Sequence, residues 1–166
     1  MKPSEEEIQQ AAETLSKLDP GMLPYPIFLE TTRLTVTSIL EIVPLRNKEG
    51  RTEVLLKPRS ADDPHWANML HTPGTVLRAD DTGYNSALQR IIEDELQDVS
   101  IVGEPVSVTD VFHRVNRGME NARVFYLEIG EGEPEFGKFY DAFDLPDNVV
   151  ETQIDFIRLA AEQFES

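Results

Sequence analysis

The spacing of apolar residues changes along this chain between helical periodicity and strand-like alternation, and that order constrains the fold more than any other feature. Helical spacing occurs in residues 8–18, 84–92 and 150–164, and strand-like segments occur in residues 33–43, 52–59, 106–115 and 122–129. The order is helix, strands, long loop, helix, strands, helix. It predicts an α/β fold of the α+β type, in which a mixed β-sheet is sandwiched between α-helices.

The turn residues refine this prediction. The sequence RNKEG, residues 46–50, indicates a turn that joins two strands into a hairpin, whereas the proline-rich LPYPIFLE, residues 23–30, predicts an extended connector. On the first strand we expect Leu34, Val36, Leu40 and Ile42 to share one apolar face. Residues 60–83 and 130–148 are polar, contain Pro and Gly, and predict long loops.

The chain length predicts a single domain over residues 1–166. Within it we expect an N-terminal helical extension in residues 1–20, a core in residues 33–145 and a C-terminal helix in residues 147–165. Ser4 and Glu7 have the spacing of a capping box, which predicts that the first helix begins there.

The charge and the missing cysteines limit the function. A formal charge of −16 repels a nucleic-acid backbone, so we predict no nucleic-acid polymer as a partner, whereas small phosphorylated substrates remain compatible through a bridging divalent cation. The sequence has no cysteine, which excludes disulfides and cysteine nucleophiles. It also has no apolar run of membrane-helix length and no signal-peptide pattern, so we expect a cytoplasmic protein without membrane contact. A homodimer is compatible with the sequence, which has no feature that decides the oligomeric state.

Acidic residues at the end of the central helix are candidate metal ligands. On a helical wheel Asp94 and Glu95 flank Ile91 at the edge of the apolar stripe, while Glu93 points toward solvent. Asp81, in the preceding loop, is a candidate third ligand. Such oxygen-rich groups suit Mg2+ (or Mn2+). The alternative is that the acids form the solvated edge of an ordinary amphipathic helix.

The segment TPGTVLRADDTGYNSALQRIIEDELQ, residues 72–97, resembles the Nudix box, whose pattern is G-x5-E-x7-R-E-U-x-E-E-x-G-U with U apolar. The strand EVLLKPR before it, the combination of Trp66 with TPG, and KFYDAFDLP before the last helix are also similar to Nudix domains. The resemblance covers residues 33–160. It implies a Nudix-like mixed sheet between helices.

The resemblance also implies roles for particular residues. Arg90 matches the box arginine, which ties the loop to the helix. Asp94 and Glu95 match the acid pair that binds metal and supports catalysis, and Asp81 matches the loop glutamate. Ile91, however, replaces a glutamate that is a metal ligand in the family. Thr75 and Gln97 replace two glycines of the pattern.

Two functions follow from the resemblance. The first is a Nudix-type hydrolase that cleaves a diphosphate linkage in a small nucleotide-like substrate, with Mg2+ on Asp81, Asp94 and Glu95 activating a water. The second is a catalytically impaired Nudix-like domain that binds a ligand or regulates, which Ile91 favours. Cations near the expected cleft are candidate phosphate contacts, namely Arg59, Lys57, Arg78, Arg114 and Arg117. Acids in the loops are candidate metal ligands in place of the missing glutamate, namely Glu120, Glu133 and Glu135.

Overall fold

The helices and strands follow the predicted order, with additional short elements between them. The computed structural model describes residues 2–166. Its elements are α1 (Glu5–Leu15), α2 (Tyr25–Leu34), β1 (Val36–Lys48), β2 (Arg51–Pro58), β3 (Leu70–His71), β4 (Gly74–Val76), α3 (Tyr84–Glu95), β5 (Val106–Val115), β6 (Gly118–Glu128), β7 (Lys138–Asp141), a 3-10 turn (Glu151–Gln153) and α4 (Ile154–Phe164).

A mixed sheet of seven strands forms the centre, in the order β3-β2-β1-β6-β5, with β4 paired to β1 and β7 paired to β2. β1 and β6 are parallel, and the other pairs are antiparallel. The predicted hairpin is confirmed, because Leu45 on β1 lies opposite Val54 on β2. Nearer its N-terminus β1 pairs with β4, which lies beside residues 39–41.

The two faces of the sheet are covered by different helices. On one face Leu40, Ile42 and Leu55 pack with Ala87, Leu88 and Ile91 of α3. On the other face the buried residues Val43, Leu45, Val54 and Leu56 pack with Phe156, Ile157, Ala160 and Ala161 of α4. Successive strand residues point to opposite faces, so the continuous apolar runs in β1 and β2 supply both layers. The predicted α+β sandwich is therefore confirmed.

The interpretation of residues 23–30 as an extended connector was wrong, since they lie mostly in α2. Pro26 lies in the first turn of that helix, where an amide N–H has no intrahelical partner. Proline lacks this N–H, so it breaks no helical hydrogen bond there. The first strand consequently begins only at Val36. Leu34 ends α2 and is 70% exposed, so the predicted apolar face contains only Leu40 and Ile42 as core residues.

Both predicted long loops contain short strands. The loop over residues 60–83 includes β3 and β4, and the loop over residues 130–148 includes β7. Strands of two to four residues have too few positions to show alternation, so they depend on backbone hydrogen bonds to β1 and β2.

The chain termini are helical. The capping box at Ser4 and Glu7 is confirmed by reciprocal hydrogen bonds, yet α1 contains no buried residue. α4 and its preceding 3-10 turn lie within the predicted C-terminal helix. The division into one domain with terminal extensions stays a prediction. Across residues 2–166, the structure has no helix with the length and apolar content to cross a membrane.

Candidate ligand-binding site

Arg90 links the loop before α3 to the helix itself. Its Nη2 donates to both carboxylate oxygens of Asp81, at 2.7 and 2.9 Å, and its Nη1 donates to Thr75 Oγ1 at 2.6 Å. The backbone N–H of Arg78 donates to the same carboxylate at 2.7 Å. Burial opposes ionisation of Asp81, but the Arg90 hydrogen bonds outweigh it and hold the pKa below its ordinary value. The carboxylate of Asp81 is therefore the ion-pair partner of Arg90. Through this pair Arg90 joins the loop to the helix, as the resemblance implied.

The other two predicted metal ligands have different surroundings. Glu95 is half-buried at the end of α3, where its Oε1 accepts from the backbone N–H of Gly74 at 3.3 Å. Burial raises the pKa of Glu95 above its ordinary value, although the Gly74 hydrogen bond opposes this shift. Asp94 is exposed on the outer face of the helix. Ile91, in place of the family glutamate, is 1% exposed and packs in the core.

The structure does not bring Asp81, Asp94 and Glu95 together. Among residues 2–166 there is no group of three or more acidic, histidine or cysteine side chains that could hold a metal ion. The candidate replacements do not form such a group either. Glu133 pairs with Arg46 at 3.0 Å, Glu135 is exposed, and Glu120 is buried beside Arg117.

Lys57, a candidate phosphate contact, is buried against the C-terminal end of α3. Lys57 is 7% exposed, and its Nζ donates to the backbone carbonyl of Glu95 and lies 3.6 Å from Asp98 Oδ1. The last carbonyls of a helix lack intrahelical partners and carry partial negative charge, which a buried lysine can satisfy. Lys57 on β2 therefore caps the C-terminal end of α3, and it does not line the cavity described next.

A cavity of about 1230 Å³, called the main cavity below, lies between α2, the start of β1 and β4. Three arginines line it, Arg59, Arg78 and Arg117, together with the rings of Tyr25 and Phe28 and several threonine hydroxyls. Arg78 forms no salt bridge among residues 2–166. Arg59 pairs with Asp63 at 2.8 Å, but its Nε is shielded from solvent and has no hydrogen-bond partner within the described chain. The cavity thus combines guanidinium donors with apolar rings.

Arg59 and Arg117 are held in place by aromatic rings at one side of this cavity. Both guanidinium groups lie against Trp66, at 5.0 and 5.4 Å from a ring centroid, and Arg117 also lies 5.6 Å from the Phe28 ring. Arg117 donates to Glu120 at 2.7 Å as well. These contacts restrict the rotamers of both arginines, which lowers the entropy lost when they bind an anion.

Glu41 is a site residue that the sequence analysis missed. It is 8% exposed on β1 and is the one carboxylate among the described residues that line the cavity. Its Oε2 accepts from Thr72 Oγ1 at 3.0 Å and from Gln153 Nε2 at 3.3 Å. An added Cβ at Gly74 would lie 2.6 Å from Glu41 Oε2, so a larger residue there would displace the Glu41 carboxyl. The sequence feature that could have identified Glu41 is its position as a single acid between Leu40 and Ile42 in an apolar strand.

Burial raises the pKa of Glu41 to about 8, and the nearby Glu120 and Glu95 add to the effect while the Thr72 hydrogen bond opposes it. Glu41 is therefore mainly protonated at neutral pH. A protonated carboxyl has an O–H donor as well as acceptor capacity. Glu41 can thus offer a ligand a hydrogen bond without adding negative charge to a cavity that contains three arginines.

The three histidines take no part in a metal group. Burial lowers the pKa of His71 to about 4, so its ring is neutral, and its Nδ1 lies 2.7 Å from the Thr72 carbonyl oxygen. His113 Nε2 lies 3.6 Å from Glu120. His65 stacks edge-on against Trp66 with centroids 5.4 Å apart.

Solved structures show what this arrangement of sheet and helices is similar to. The Nudix domain of Shewanella oneidensis NrtR, complexed with ADP ribose, superposes with a TM-score of 0.61 at 15% identity, covering 92% of this chain and 97% of that one. A MutT/Nudix family protein from Listeria innocua gives a TM-score of 0.60 at 14% identity, covering 79% and 96%. The Ap4A hydrolase of C. elegans gives 0.56 at 12% identity, covering 80% and 100%.

The chain has the Nudix fold. No family sequence pattern and no curated protein sequence matches it, so the likeness lies in the fold. On the Nudix fold of this chain, a metal ion on Asp81, Asp94 and Glu95 does not fit the residues present. Asp81 is paired with Arg90, Asp94 is exposed, and Glu95 accepts from the backbone N–H of Gly74. We therefore assign no chemical step to a metal.

Proposed function

We propose that this chain is a ligand-binding domain on a Nudix fold, which takes a small, phosphate-bearing, nucleotide-like molecule into its main cavity without metal-dependent hydrolysis. The observation that carries the proposal is the set of three arginines lining a cavity of about 1230 Å³ in a protein of charge −16. Guanidinium groups match phosphate oxygens in geometry and charge, and their clustering against the overall charge is expected of an anion site.

The parts of the cavity suit different parts of such a ligand. Arg59, Arg78 and Arg117 would bind the phosphates, and the Phe28 ring offers a surface on which a base can stack. The protonated carboxyl of Glu41 would hydrogen-bond a polar edge of the same ligand. The NrtR Nudix domain, which is complexed with ADP ribose, supports this class of ligand for the fold.

Metal-dependent hydrolysis by the Nudix-like segment is less well supported than ligand binding. It needs several ionised carboxylates around one cation, whereas the box acids have separate contacts: Asp81 with Arg90, Glu95 with Gly74 and Asp94 with solvent. The buried Ile91 adds no oxygen ligand to this helix face. Mg2+ is accordingly left out of the proposed function.

Calorimetric titration tests the proposal. ADP-ribose, nucleoside diphosphates and nucleotide sugars are titrated into the protein with Mg2+ or with a chelator, and the same mixtures are assayed chromatographically for products. We expect saturable binding of at least one compound, equally tight with the chelator, and no products. Mg2+-dependent product formation would establish the hydrolase instead, and an absence of binding across the panel would refute the proposal.

Arg78→Gln supplies the matched test of location. Arg78 forms no salt bridge within residues 2–166, so its removal takes away a phosphate contact without breaking a structural pair. We expect affinity to fall by about tenfold, the usual size for a charged hydrogen bond. Arg51→Gln makes the same charge change on the exposed start of β2 and should leave affinity unchanged.

A further inference from the structure

A second cavity of about 650 Å³ shares Arg117 with the main one as a lining residue. Its walls come from the C-terminal end of α2, the turn between β5 and β6, the loop before β3 and the residues before α4. We call it the arginine groove, because Arg33, Arg114 and Arg117 line it together with His65 and Trp66. None of the box residues lines it.

The charge of the arginine groove is opposite to that of the whole molecule. Three of the fifteen basic residues line it, against Glu151 as the one carboxylate of the described lining. Arg114 is exposed on β5 and forms no salt bridge among residues 2–166. Arg33 pairs only with Glu30 on its own helix, and both side chains are 63% exposed, so this pair contributes little and can exchange for another anion.

The inner wall of the groove is ordered. Arg117 is fixed by Glu120 at 2.7 Å and lies between the rings of Trp66 and Phe28. His65 Nε2 is shielded from solvent and has no hydrogen-bond partner in residues 2–166. A buried polar atom without a partner is costly in a folded protein, and a bound ligand or water that bonds it would remove that cost.

We propose that the arginine groove is a second anion site, which binds the phosphate group of a small molecule and shares Arg117 with the main cavity. Arg114 and Arg33 are the exposed donors to the phosphate, and Arg117, which Glu120 holds, is the third donor. The Trp66 ring beside them gives an apolar surface to whatever group carries the phosphate. Net positive charge in this groove raises the local concentration of anions although the molecule as a whole repels them.

The probe is inorganic phosphate, followed by NMR on protein labelled with 15N. We expect saturable shifts of the Arg114 and Arg33 Nε–Hε signals, the Trp66 indole signal and the backbone amides of residues 114–118. The Arg78 signal should not follow the same curve. A phosphomonoester added afterwards should compete for the same signals and show whether the attached group contacts Trp66.

Three variants locate the effect. Arg114→Gln should weaken phosphate binding by about tenfold, as expected for one lost charged contact, with an unchanged melting temperature because the side chain is exposed. Arg51→Gln and Arg78→Gln should bind phosphate at the groove as the wild type does. Equal weakening by Arg51→Gln, shifts centred on Arg78, or no saturation would each overturn the proposal. Because Arg78→Gln reports on the main cavity alone, failure of the groove and failure of the proposed function are distinguishable.

Discussion

Glu41 shows how much one buried residue determines in this protein. A carboxyl on a core strand loses its hydration, and here it keeps hydrogen bonds from Thr72 and Gln153. An apolar side chain at this position would fill the space without that cost. The position therefore suits recognition of a polar ligand group better than it suits stability.

We predict that Glu41 makes the protein less stable as pH rises from about 4.5 to about 8. The folded protein keeps the Glu41 proton up to about pH 8, whereas in the unfolded chain the pKa is near 4.5. The unfolded state binds fewer protons in this range, so the free energy of unfolding falls as pH rises, by at most about 1.4 kcal/mol per pH unit.

Urea unfolding of wild type and Glu41→Gln across this pH range measures the effect. The glutamine should flatten the decline, so that the variant gains on the wild type as pH rises. Glu131→Gln, at an exposed position, should follow the wild-type curve. Parallel curves for Glu41→Gln and wild type would mean that Glu41 is ionised throughout. Glu95 and Glu120, which neighbour Glu41, are present in all of these proteins and cancel in the comparison.

At the scale of the element, the position of α3 depends on polar contacts at its middle and at its C-terminal end. Arg90 ties its middle to the preceding loop through Asp81 and Thr75, and Lys57 on β2 binds its last carbonyl. The apolar stripe of α3 determines which face packs on the sheet. These polar contacts determine where the middle and the C-terminal end of the helix lie.

We predict that Lys57→Met destabilises the fold by about 2–4 kcal/mol, because it leaves a helix-end carbonyl and the half-buried Asp98 without their cationic partner. Chemical denaturation measures the loss, and hydrogen exchange should show it first at residues 95–97. Lys138→Met, on the exposed side of β7, is the control and should cost less than about 0.5 kcal/mol. Similar losses for both variants would rule out the capping role.

At the scale of the whole molecule, charge and burial are unevenly distributed. The chain has a charge of −16, yet five arginines line its two cavities, with Arg117 shared between them. The first helix, by contrast, leaves its apolar residues in solvent, with Ile8 56% and Leu15 50% exposed. The absence of a nucleic-acid polymer partner stays a prediction, and a homodimer stays one of the possibilities that the sequence leaves open.

We predict that deleting residues 2–17 changes the free energy of unfolding by less than about 0.5 kcal/mol, because α1 has no buried residue. The deletion stops before Pro20, where the lining of the main cavity begins. Thermal denaturation and ligand titration of the shortened protein measure stability and binding separately. A loss of more than a kilocalorie per mole would show that α1 packs against the rest of the chain in solution.

The sequence by itself determined the class of fold, because apolar periodicity reports which face of each long element is buried. It predicted the β1–β2 hairpin, α3 and α4, and the resemblance implied the pairing of Arg90 with its loop. It missed α2 and the strands β3, β4 and β7, where prolines or a very short length leave no periodic signal.

Only the tertiary structure decided which distant side chains meet. Asp81 and Glu95 lie close in sequence but have separate partners, and Asp94 faces solvent, whereas Glu41, Thr72 and Gln153 meet across the fold. The physical reason is that periodicity describes one element at a time, while convergence depends on how the strands pair.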